Sequence, residues 1–134
     1  MVNPSTATAE TDDATIRRCI GFARRMDARS LVVANLFALR STDIRGLRTV
    51  ADPIGPENND HLRTIARSHG RIIVAWGPLA KMPPAFRHRP AFVADTMRRA
   101  GATLFALAVC QDGQPAHPLM LPNANVPRPW SPNV

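Results

Sequence analysis

Apolar residues follow two rhythms along this chain, and the rhythms alternate. Ile16, Cys19, Ile20 and Ala23 fall at i, i+3, i+4 and i+7, the spacing of one helix face, and Asp13 stands where an N-cap would. Arg17, Arg18, Arg24 and Arg25 lie mostly off that face. Next comes SLVVAN, residues 30 to 35, an apolar run without alternation, as expected of a strand covered on both faces. A short helical stretch is expected from Ile44 to Val50. A longer helix is expected to open at Pro56, turn Leu62, Ile65 and Ala66 inward and stop at Gly70.

RIIVAW then reads as a second buried strand, ended by Trp76 and Gly77. The proline-rich PLAKMPPAFRHRP reads as loop. A helix from Pro90 carries Val93, Met97 and Ala100 inward, and Gly101 closes it. TLFALAV is a third strand, running into CQDGQPAHPLML. The tail from Pro122 holds four prolines and is expected to lie extended over the surface.

The alternation predicts an α/β three-layer sandwich with a mostly parallel sheet and right-handed crossovers. Residues 1–122 form the expected single domain, and 123–134 a proline-rich tail. At the start, Asn3-Pro4-Ser5-Thr6 reads as a loop leaving a strand, because Asn-Pro starts turns and a residue before proline is pushed towards extended geometry. Most of that first strand is missing from the chain, which is expected to be N-terminally truncated and less stable than an extended version.

Composition narrows the class. The chain has 134 residues, 45% hydrophobic and 20% charged, which suits a globular domain with a real core. No apolar run is long enough for a membrane span, and the acidic start lacks the apolar region of a signal peptide, so the expected location is cytoplasmic. Cys19 and Cys110 are far apart and read as reduced, buried thiols. Seventeen basic residues against ten acidic give a net charge of +7, which suits a polyanionic partner, nucleic acid or a nucleotide. All the basic residues except Lys81 are arginine, a bias that a GC-rich coding background also produces.

Ligands of open parallel sheets bind beyond the carboxyl ends of the strands. Four strand ends would converge there. The first delivers Asn3, Ser5 and Thr6, the second Asn35, Phe37 and Arg40. The third delivers Trp76, and the fourth His117, which lies between Ala116 and Pro118 just past Asp112 and Gly113. Each has a structural reading as well: a turn cap for Asn3, a turn residue for Asn35, core for Trp76, a satisfied imidazole for His117. No Gly-rich phosphate loop, HExxH, CxxC or GxSxG motif occurs, and His61 and His69 are too far apart on their helix for joint metal ligation. Neither a metal nor a cofactor is expected.

NPSTA, DDATIRRCIGFAR, LVVANLFALRSTD, ADPIGPEN, AWG and DGQPAHPL together resemble a bacterial and phage family known only as a domain of unknown function. The likeness runs from Asn3 to about Pro122 and rests on the Asn-Pro-Ser-Thr-Ala start and the His-Pro-Leu end. The resemblance implies a preceding apolar strand. The chain departs from that pattern at Ala14, where proline is usual, and at Gln111, Ala116 and Met120, where lysine, arginine and tyrosine are usual. More distantly, the layout is similar to the uracil-DNA glycosylase superfamily. That likeness implies base reading by Asn35, water positioning by Asn3 or Asp13, stabilisation of the leaving base by His117, and stacking by Phe37 or Trp76. Two alternatives stand beside it: a binder of small molecules or nucleotides at the same edge, and a non-enzymatic interaction module using the arginine face of the first helix.

Overall fold

The structure is a computed structural model that describes residues 1–4, 14–41 and 43–132. Among the described residues, three α-helices accompany a small mixed sheet: α1 (Ala14–Arg25), α2 (Asn58–Ser68) and α3 (Arg89–Arg99), with β1 (Arg71–Ile73), β2 (Thr103–Ala106) and β3 (Arg128–Pro129). The sheet order is β1-β2-β3. β1 and β2 are parallel, with Ile72 opposite Leu104, and β3 is antiparallel to β2. The chain is therefore α/β, but its sheet is smaller and more mixed than the mostly parallel sandwich the alternation suggested.

The helices form where their apolar faces can be buried. α2 turns Leu62 and Ala66 into the core, and α3 turns in Val93, Ala94 and Met97. These residues pack with Leu36, Phe37, Val74, Leu104 and Ala106 in one cluster. α2 begins at Asn58 rather than Pro56, and the Asn58 side chain ties its first turn to the neighbouring segment. Its Nδ2 donates to the carbonyls of Asn35 (3.2 Å) and Leu36 (3.0 Å). Gly101, at φ +98°, ends α3 as expected.

Two expectations need correction. Residues 31 to 35 run beside the core but form no regular strand, and Leu31 and Val32 are 42% and 54% exposed. A β-prone run becomes a strand only when a ladder partner satisfies its backbone, and here the partner is minimal. Met1 N donates to Ala34 O (3.0 Å), and Leu36 N and Phe37 N donate to Met1 O and Val2 O, each at 2.9 Å. The tail, for its part, is extended but also paired. Arg128–Pro129 adds to β2, Trp130 N donates to Leu104 O (2.9 Å), and the Trp130 side chain is buried. Proline is tolerated on an edge strand because its missing N–H can face outward.

Among the described residues, no helix is long and apolar enough to cross a membrane.

Candidate functional site at the strand ends

Beyond Ile73 the chain continues buried through Val74, Ala75 and Trp76 to Gly77. Gly77 has φ +83°, a conformation glycine adopts without strain, and its N–H donates to Pro115 O (2.8 Å). Pro115 belongs to a hairpin that extends β2. Within it Cys110 N donates to Gln114 O (2.7 Å), and Ala116 N donates to Ala108 O (2.9 Å). Asp112 braces the hairpin against the next turn, accepting from Leu79 N at 2.9 Å and from Gln114 N at 3.1 Å. The returning arm delivers His117 beside Gly77, where a Cβ on Gly77 would lie 3.6 Å from the His117 Cβ.

The second strand end is held from two helices. Besides Asn58, Arg89 donates from Nε to Leu36 O (2.9 Å). This fixes the backbone on which Asn35 stands. The first loop is held by a clasp: Asn3 Nδ2 donates to Ser41 O (2.7 Å) and Pro4 O (3.3 Å), and Ser41 N donates to Pro4 O (2.9 Å).

Together these segments wall a cavity of about 1080 Å³. Asn3, Asn35, Arg40, Trp76 and His117 all line it, so the strand-end rule brought together residues far apart in sequence. Phe37 does not line it. Its ring is fully buried and meets Phe86 edge-on at 5.4 Å, so it is core rather than a stacking platform. The chain has already turned inward one residue past Leu36. Ser5, Thr6 and Asp13 lie outside the described residues.

The chemistry of the wall is uneven. Asn35 Oδ1 is buried and has no hydrogen-bond partner among the described residues. Such an acceptor costs free energy unless something donates to it, so it marks a place where a ligand or water gains most. The Asn3 amide is anchored through its nitrogen to the carbonyls of Ser41 and Pro4. His117 Nδ1 accepts from Leu119 N (3.3 Å), which makes Nε2 the protonated nitrogen of the neutral ring. Trp76 is 5% exposed, donates to Gln114 Oε1 (2.8 Å) and forms a wall, not an open stacking surface.

Lys81 and Arg45 also line the cavity, and sequence reasoning did not place them there. The signal for Lys81 was its status as the single lysine, on the turn just after Gly77-Pro78. Arg45 pairs with Asp43 at 2.7 Å on the exposed rim, and this pair holds the Asp43 carboxyl below its ordinary range. Cys110 is the cavity's thiol. Burial pushes its pKa up, and the nearby Asp112 carboxylate adds to this, so it stays protonated and is not an activated nucleophile. Ala116 and Met120, two of the departures noted in the sequence, are in the wall as well. Among the described residues, no group of three or more His, Cys, Asp or Glu side chains converges as a metal site.

Fold and site define a small α/β protein with a cavity of mixed polar and apolar lining at the strand ends. The chain belongs to the family described as "Protein of unknown function (DUF1643)", which matches residues 1–119. No curated protein and no solved structure matches the chain.

Proposed function

We propose that the strand-end cavity binds a nucleobase carried on a nucleotide or a nucleic-acid strand, with Asn35 reading the edge of the base. The observation that carries this reading is the Asn35 Oδ1, without a partner among the described residues, on a residue that lines the cavity together with His117 and Asn3. A side-chain amide offers one acceptor and two donors in a plane, which matches the alternating groups along a base edge. Arg40 and Lys81 on the same wall suit the attached phosphate, and the net charge of +7 suits approach of a polyanion.

The glycosylase form of the reading assigns a role to each group. Water adds to the sugar C1′ and releases a proton to solvent, while the C1′–N bond breaks and its electron pair leaves with the base, which takes up a proton from solvent. Asn3 Oδ1 would accept a hydrogen bond from that water, and the protonated His117 Nε2 would donate to the departing base. The alternative of a docking module built on the arginine face of α1 has less support, because Arg18 is already engaged internally. It donates to Leu121 O and Asn123 Oδ1 and lies over the Phe22 ring at 5.3 Å.

Titration with the common mononucleotides, read by tryptophan fluorescence, tests the binding claim. Saturable quenching that depends on the base and disappears in Asn35→Ala is the expected result. Identical responses to all bases, or to inorganic phosphate alone, would count against base reading.

A further inference from the structure

A second, apolar groove of about 300 Å³ runs between residues 30–36 and β1 with its continuation to Trp76. Helix side chains complete its walls, among them Phe22 of α1, Leu62 of α2 and Val93 of α3. Its two ends differ. Asn35 and Trp76 also line the strand-end cavity, so they mark the inner end. Five residues back along each segment, Ser30 and Arg71 mark the other end, with His69 preceding β1. That end is open, since Ser30, His69 and Arg71 are exposed, as are Met26 and Leu31 in the same wall. Among the described residues, the ionisable side chains that line the groove are Cys19, His69 and Arg71, and none is acidic.

The mouth of the groove opens on a basic end of the molecule. β1 and β2 are parallel with Arg71 opposite Thr103, which brings the C-terminal ends of α2 and α3 to this side of the sheet. α2 carries Arg67 in its last turn, and α3 carries Arg98 and Arg99. α1 ends on Arg24 and Arg25, and Arg29 stands between Ala28 and Ser30, both in the groove wall. All these arginines are exposed. Arg99 pairs with Asp95 at 2.7 Å, and the others make no ion pair among the described residues. The arginines of the last turns offset their own helix dipoles. Arg29 and Arg71 lie outside the helices, so that explanation does not reach them, and they flank the mouth. The Arg71 guanidinium rests on the Phe105 ring at 4.9 Å and makes no hydrogen bond among the described residues, so its donors are open to an anion.

We propose that the groove binds a single-chain amphiphile with an anionic head, its acyl chain along the groove and its carboxylate between Arg29 and Arg71 at the mouth. The two requirements come from different parts of the site. The apolar walls take a chain, and burial of each methylene adds to affinity. The arginines take the head, because a guanidinium offers a carboxylate two parallel N–H donors. Length is consistent as well. From Arg71 to Trp76 the groove runs about 16 Å at about 3.3 Å per residue, the reach of an extended chain of about ten to twelve carbons. An uncharged chain would gain nothing from the arginines, and a short anion would leave the apolar walls unfilled. The inference is independent of what the strand-end cavity binds.

Calorimetric titration with decanoate, hexanoate and decanol, each below its micellar or solubility limit, tests this. The wild-type protein is compared with the double variant Arg29→Glu, Arg71→Glu, whose substitutions are at exposed positions outside the core. Decanoate should bind saturably, about tenfold tighter than decanol, the gain expected of a charge-assisted hydrogen bond. Hexanoate should bind roughly a hundredfold more weakly than decanoate, for four methylenes lost. Charge reversal should abolish the preference for decanoate and leave the decanol affinity unchanged. Amide shifts at Leu31 and Ile73 on saturation place the ligand in the groove. Absence of saturable decanoate binding, or a preference that survives charge reversal, would overturn the proposal. So would self-association of the free protein that Leu31→Glu abolishes, which assigns the groove to a second copy. Binding to anionic phospholipid vesicles without binding of decanoate would overturn it too, and would assign the basic end to a membrane surface.

Discussion

Trp76 and Trp130 meet edge to face, with ring centroids 5.4 Å apart and planes at 84°. One ring stands at the wall of the strand-end cavity, and the other arrives from the tail. The Trp130 Nε1 donates to Gly113 O (3.0 Å), which ties the tail to the hairpin that carries His117. The tail therefore braces the site as well as the sheet.

Trp130→Ala should destabilise the fold by about 3 kcal/mol, the usual cost of emptying a buried tryptophan site. Chemical denaturation measures this directly. Because Trp130 also holds Gly113, the variant should loosen the hairpin, seen as faster hydrogen exchange at Gly113 and Cys110. A loss below about 0.5 kcal/mol would mean that the tail rests on the domain without supporting it.

The amine of Met1 gives stability a pH dependence. It is buried against Ala34 O, and burial lowers its pKa from 8.0 to about 6, partly offset by the Cys19 thiol of α1. The folded state therefore holds this proton less tightly than the unfolded state. Stability is greatest above pH 8, falls as pH drops from 8 to 6, and levels off below that. A shift of that size corresponds to about 3 kcal/mol. Urea denaturation across this range checks it, with N-terminally acetylated protein as the control that should lose this component while the histidines still titrate.

Arg89 is a buried cation whose Nη2 has no partner among the described residues, with its guanidinium set 5.4 Å from the Phe92 ring and 6.0 Å from the Phe37 ring. Burial lowers its pKa, opposed in part by Asp52. Arg89→Met keeps the volume and removes the desolvation cost, so it should change stability by less than about 1 kcal/mol. Arg89→Ala leaves a cavity and should cost more than about 2 kcal/mol. Equal losses for both variants would show that the bond to Leu36 O, rather than packing, sets the contribution.

The helices were legible because each carries its own signal. Leu62 and Ala66, or Val93 and Met97, fall on one face whatever surrounds them. The strand-end rule was enough to gather Asn3, Asn35, Arg40, Trp76 and His117, since it needs only the order of elements. Pairing was not legible. Leu31 to Asn35 has the composition of a strand, but a ladder depends on a neighbour that no local pattern reveals. Arg128-Pro129 became β3 through its register with Phe105 and Ala106, against the local argument from proline. Phe37 failed for a related reason: its distance from Asn35 in sequence was right, but the direction of its side chain depended on Phe86 and Arg89.

The account turns on Asn35 reading a base. The most direct measurement is fluorescence anisotropy of a labelled single-stranded oligonucleotide, titrated with the wild-type protein and with Asn35→Ala at several salt concentrations. Contacts from Arg40 and Lys81 to about two phosphates predict a log–log salt slope near −1.4, with the slope unchanged in the variant. Affinity in the variant should fall by about tenfold, the loss expected when a base-edge contact worth about 1–3 kcal/mol is removed. No binding at low salt, or equal affinity for the two proteins, would contradict the account.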